Sequence, residues 1–175
     1  MEWIYENGEN NTLRYILGIT GKNPLICFGI NPSTASPNNT DRTIQSVERI
    51  SVANGYDSWI MLNVYPQRAT NPDELDLSLN IDYHKKNLEH IESIIQKGNL
   101  NLWSAWGTII EKRDYLKTIL RDIHQQSQKY NCTWITAGKE SIKGHPHHPL
   151  YLKTQEKFRP FDMNLYINNL SNHEK

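Results

Sequence analysis

Leu25-Ile26-Cys27-Phe28-Gly29-Ile30-Asn31-Pro32-Ser33-Thr34 is the stretch on which the fold turns. Its first six residues are apolar or small and do not alternate with polar ones. A strand with one wet face would alternate, so this run suits a strand buried on both faces, as in a parallel sheet. The Asn-Pro step ends it, because proline has no N–H for a ladder and restricts the residue before it. A polar turn continues through Ala35-Ser36-Pro37-Asn38-Asn39.

Outward from this strand the pattern repeats. Ile44, Val47 and Ile50 predict a helix over about 41–54, stopped by Gly55. Trp59-Ile60-Met61-Leu62-Asn63-Val64 reads as a second buried strand, and a polar loop follows as far as Ile81. Asp82 is read as the cap of a helix bearing Leu88, Ile91, Ile94 and Ile95, closed by Gly98. A third strand covers 100–106. A third helix carries Ile109, Ile110, Leu116, Ile119, Leu120 and Ile123, and a fourth strand covers 132–137. Upstream, Gly and Asn between two apolar runs in residues 1–20 read as a hairpin. Beyond the loop 138–151 only a short tail is expected. Strands and helices alternate four times. The expected fold class is therefore α/β: one domain over 1–175, a three-layer sandwich with a central, mainly parallel four-stranded sheet preceded by an N-terminal hairpin. Ligands of such sheets bind at the carboxyl ends of the strands.

Composition narrows the function classes. The 175 residues carry 19 basic and 19 acidic side chains, a net charge of zero, which counts against strong non-specific DNA binding. The charge is unevenly spread. Acids prevail between Asn71 and Glu92, whereas bases and three histidines prevail between Ala137 and Pro160, where a polyanion could be received locally. The two cysteines, Cys27 and Cys132, lie in apolar runs and cannot supply a four-cysteine metal or iron–sulfur site. They fit a reducing compartment. No signal segment and no apolar stretch of roughly 18 residues is evident, so a cytoplasmic protein without a membrane partner is expected.

The polar residues at predicted strand ends are the candidate site. Asn31 can orient a water or a base edge, and Ser33 and Thr34 can bind an anion, or the tetrapeptide is simply a capped turn. Asn63 interrupts an apolar run and needs partners, from loop backbone or from a ligand. Arg68 can bind phosphate or pair with an acid such as Asp41. Trp106-Gly107 ends the third strand, where core packing is the plainer reading. In His145-Pro146-His147-His148-Pro149-Leu150-Tyr151 two prolines stiffen a histidine loop that can donate to a developing negative charge. Its histidine spacing matches no established metal motif, so no metal and no cofactor is assigned. Nucleotide-binding glycine loops and G-x-S-x-G are absent.

Asn31-Pro32-Ser33-Thr34-Ala35, Asp41-Arg42-Thr43, Arg68-Ala69-Thr70-Asn71-Pro72, Ala105-Trp106-Gly107 and His148-Pro149-Leu150-Tyr151-Leu152 together resemble a bacterial and phage domain family of unknown function, over about residues 13–153. More distantly the chain resembles the uracil-DNA glycosylase superfamily. Gly29-Ile30-Asn31-Pro32 is similar to the G-I-N-P of its mismatch-specific branch. Met61-Leu62-Asn63 with Gln67-Arg68-Ala69, Trp106-Gly107 and His148-Pro149-Leu150 are similar to its later motifs, with His145-Pro146 as a second register for the last. The resemblance implies a uracil-DNA glycosylase-like fold. It also implies that Asn31 positions the attacking water, Asn63 binds the base edge, His148 stabilises the departing base and Leu150 wedges the duplex during base flipping. Ser33 replaces a family glycine, and Tyr65 is the available substitute for the missing stacking aromatic.

Three functions follow as expectations. The first is a DNA glycosylase-like hydrolase of uracil or a modified base, with Asn31 and His148 catalytic. Ser33, Thr34, Asn63, Tyr65, Arg68, Lys143 and His145 would bind the base or nucleotide. The second is a non-catalytic binding module for a small nucleotide or nucleobase in the same site. The third is a metal-dependent hydrolase built on the histidine loop.

Overall fold

The computed structural model describes residues 2–172 and brings seven strands into one sheet. They are β1 (Trp3–Asn7), β2 (Arg14–Ile19), β3 (Pro24–Gly29), β4 (Ser58–Asn63), β5 (Asn101–Ser104), β6 (Thr133–Ala137) and β7 (Phe158–Pro160), in the order β1-β2-β4-β3-β5-β6-β7. Four α-helices accompany them: α1 (Arg42–Ala53), α2 (Ile81–Ile95), α3 (Asp114–Lys129) and α4 (Met163–Asn172). The fold is mixed α/β, as the sequence predicts, but the sheet has seven strands and not four. The four expected strands are its parallel centre, β4-β3-β5-β6. The other three pairings, β1 with β2, β2 with β4, and β6 with β7, are antiparallel.

Both additions have local causes. The hairpin joins the sheet because Gly18 lets β2 approach β4 closely: a Cβ there would lie 2.5 Å from the Trp59 carbonyl oxygen. The tail supplies β7 and α4. A three-residue strand is too short to show a period, so it is invisible as a pattern.

Side chains alternate across the sheet and feed two cores. Ile26 and Phe28 pack with residues of α2, α3 and α4, including Ile91, Leu120 and Tyr166. Leu25 and Cys27 face the other way, with Met61, Trp103 and the Ile44, Val47 and Ile50 stripe of α1. Asp41 caps α1 through Ile44 N, and Gly55 follows its end at φ +83°. Asn80, not Asp82, caps α2, accepting from the amides of Asp82 and Tyr83. An Asx cap needs its oxygen one residue before the first helical turn, and Asp82 already lies inside that turn. Ile109 and Ile110 fall in a 3-10 turn, Gly107–Glu111, that precedes α3. No helix among the described residues is long and apolar enough to cross a membrane.

Candidate functional site

A cleft of about 470 Å³ opens beyond the carboxyl end of β3 and over the start of α1. Gly29, Asn31, Ser33 and Thr34 form one wall; Asp41, Arg42 and Thr43 another. Ala69, Thr70 and Pro72 close the third side, Trp106 and Ile109 the floor near β5, and His148 and Leu150 the rim. All five sequence motifs therefore meet in one cavity, although they are spread from residue 31 to residue 152.

Hydrogen bonds explain why the first and third motifs travel together. Asn31 Nδ2 donates to the carbonyls of Ala69 at 2.8 Å and Pro32 at 3.1 Å. The Ala69 amide donates to Pro32 O at 2.9 Å, and the Ser33 and Thr70 hydroxyls lie 3.1 Å apart. Arg68 donates to the carbonyls of Ser33 and Ala35 and to the Tyr5 hydroxyl. Its guanidinium staples the loop to the hairpin. With both Asn31 N–H groups occupied, Oδ1 is its available acceptor.

His148 enters the rim through a different pair of motifs. Gly107, at φ +63°, faces His148 Cβ, and a Cβ at Gly107 would sit 3.4 Å from it. His148 Nδ1 accepts from the Leu150 amide at 3.2 Å, so the neutral ring carries its proton on Nε2. Burial lowers its pKa below the ordinary imidazole value, against the opposing field of Asp41. At neutral pH the ring is a neutral hydrogen-bond donor.

Asn63 lies under the cleft without lining it. It is fully buried, shares the sheet face of Met61 and Gly29, and neither its Nδ2 nor its Oδ1 has a partner. A Cβ at Gly29 would meet Met61 Cε at 2.7 Å and Asn63 Oδ1 at 3.2 Å, so glycine keeps this floor thin.

The remaining candidates lie elsewhere. Tyr65 is buried, donating to Asp76 Oδ2 at 2.6 Å; burial drives its pKa up, and it does not line the cleft. Lys143 pairs with Glu111 at 3.0 Å. His145 is buried behind the rim, its Nδ1 2.8 Å from the Tyr166 hydroxyl, which accepts from Trp106 Nε1 at 2.9 Å. His147 Nδ1 donates to Lys139 O at 2.6 Å. The three loop histidines thus face three different partners. Among the described residues no three His, Cys, Asp or Glu side chains are grouped to hold a metal ion.

The residue that sequence reasoning missed is Arg14. It comes from β2, lines the cleft and is only 2% exposed. Its signal was a charge set directly before the apolar run Tyr15-Ile16-Leu17. Nη1 donates to Ala35 O at 3.0 Å, while Nε has no partner. Burial, then the neighbouring Arg68, lowers its pKa to about 10.

Comparison with curated proteins and with solved structures finds no match. Residues 14–150 match the family described as protein of unknown function (DUF1643), and they hold every motif wall of the cleft, so the chain belongs to that family.

Proposed function

We propose that the protein is a nucleobase-recognising hydrolase of the uracil-DNA glycosylase type, cleaving the N-glycosidic bond of uracil or a modified base in DNA. The observation that carries this reading is the convergence of Asn31, His148 and the other motif residues on one cleft at the strand ends. Helices on both faces of a parallel centre agree with the layered glycosylase-like fold that the motifs suggest.

The chemistry needs positioning more than acid–base strength. Asn31, its nitrogen tied to the loop, offers Oδ1 to hold a water against the sugar C1′. The C1′–N bond breaks with its electron pair leaving on the base, and the water oxygen adds to C1′ while its proton passes to solvent. His148, neutral because burial lowers its pKa, donates through Nε2 to the anionic base as it departs. Asn63, with an unpartnered amide beneath Gly29, backs the floor on which a base edge would rest. Leu150, 41% exposed at the rim, is placed to fill the stack that a flipped base leaves.

A second reading, a binding module for a nucleotide or free base, is favoured by the net charge of zero. A strand-cleavage assay decides between them, using oligonucleotides with uracil, hypoxanthine, a T·G mismatch and modified pyrimidines. Abasic product from wild type and none from Asn31→Ala supports hydrolysis. Absence of product from every substrate by folded protein sinks it in favour of the binding module.

A further inference from the structure

Three arginines surround the Asn31 side of the cleft, and none makes an ion pair among the described residues. Arg14 is buried with Nη1 on a carbonyl and Nε unpartnered. Arg68, behind the same loop, is likewise held by carbonyls and a tyrosine hydroxyl, with Nε unpartnered. Arg42, exposed, opens α1 at the rim. The one acid lining the cleft is Asp41, and its Oδ1 is occupied by the Ile44 amide. Of the three arginines, Arg14 and Arg42 line the cleft itself, so two cations face one anion there, a local excess of one positive charge in a chain whose net charge is zero. A buried guanidinium without a carboxylate is costly unless an anion joins it. Ser33 and Thr34 of one wall and Thr43 of the adjoining one add hydroxyl-bearing side chains to the same cleft. Planar guanidinium donors with hydroxyls beside them match the oxygens of a phosphate group.

We propose that this wall is a phosphate subsite, centred on Arg14 and completed by Arg42 and the Ser33 and Thr34 hydroxyls, which holds the phosphate of a single nucleotide whose base reaches the Gly29 floor. This rests on the nucleobase reading for the identity of the ligand, but the subsite itself does not depend on hydrolysis. One nucleotide fits a cleft of about 470 Å³. With a net charge of zero and only Arg14 and Arg42 as cations lining the cleft, the chain suits one phosphate better than a tracked polyanionic backbone.

The test is calorimetric titration of the full chain with inorganic phosphate, which needs no knowledge of the base. Saturable binding is expected, weakened by about tenfold or more in Arg14→Met and in Arg42→Ala, the loss of one charge-assisted contact. Asp41→Asn, which keeps the cap but removes the negative charge, is expected to tighten it. Arg42 is exposed and its variant keeps the proposal testable if Arg14→Met does not fold, as judged by circular dichroism. Displacement of phosphate by deoxyuridine 5′-monophosphate supports the single-nucleotide assignment. Displacement by a uracil-containing single strand alone overturns it. Wild type that binds no phosphate, or unchanged affinity in both arginine variants, overturns the subsite. Phosphate binding without base release from any oligonucleotide leaves the subsite standing and removes the hydrolytic reading, so the two fail separately.

Discussion

Gly29 shows how much one missing methyl group does at this site. Its Cα is the partition between the cleft and the buried Asn63 amide, and a Cβ would push into Met61 Cε. Because that methyl ends a flexible side chain, Gly29→Ala is expected to cost only about 1 kcal/mol of stability. Product yield should nevertheless fall by about tenfold, since a displaced floor misplaces whatever rests on it. Thermal melting beside the strand-cleavage assay checks this, and equal losses in both would mean that Gly29 serves packing only. The histidines make a second prediction. Burial lowers the pKa of both His145 and His148 below the ordinary value of 6.5. Below that value the unfolded chain takes up protons that the folded chain resists, so stability falls as pH drops toward the folded pKa values. Melting temperature should decline from about pH 7 to pH 5, and His145→Gln should flatten the slope. A melting temperature independent of pH across that window would contradict the assignment.

Among the elements, α1 links stability to the site most directly. Its cap, Asp41, is also the acid of the cleft. Asp41→Ala is expected to lose about 1 kcal/mol through the freed Ile44 amide, whereas Asp41→Asn keeps an acceptor and stays near wild type. Chemical denaturation of the two variants checks the ordering. The β1–β2 hairpin has a comparable double role. It adds two strands to the sheet and places Arg14 in the cleft and Tyr5 against Arg68. Tyr166 of α4 joins Trp106 to His145 behind the rim. Removing its hydroxyl in Tyr166→Phe strands two buried partners, at a cost of about 1–3 kcal/mol. A melting temperature equal to wild type would show that Trp106 and His145 find other hydrogen-bond partners.

At the scale of the whole molecule, the sheet extends past the family match at both ends. β1, β7 and α4 lie outside residues 14–150, yet Met163, Tyr166 and Leu170 are buried in the same core as Trp106 and Trp134. Deleting residues after 157 would bare the β6 edge and that aromatic cluster. Loss of cooperative melting and self-association on size-exclusion chromatography are expected. A shortened chain that melts cooperatively would show that the core closes without them.

The parallel centre and its helices were legible in the sequence because burial on both faces writes a continuous apolar run, and a helix on a sheet writes a repeat of three to four. The topology pointed to the carboxyl ends of the strands, where a cleft lined by Asn31, Ser33, Thr34, His148 and Leu150 opens. Only the tertiary structure decided the rest. Edge pairing depends on partners distant in sequence and on Gly18 having no side chain, so the seven-stranded extent carried no local signature. Whether a polar side chain reaches the cleft is likewise a matter of packing. Tyr65, Lys143 and His145 are held by Asp76, Glu111 and Tyr166, each from another segment, while Arg14 is delivered by a strand whose antiparallel pairing to β4 no run of residues announces.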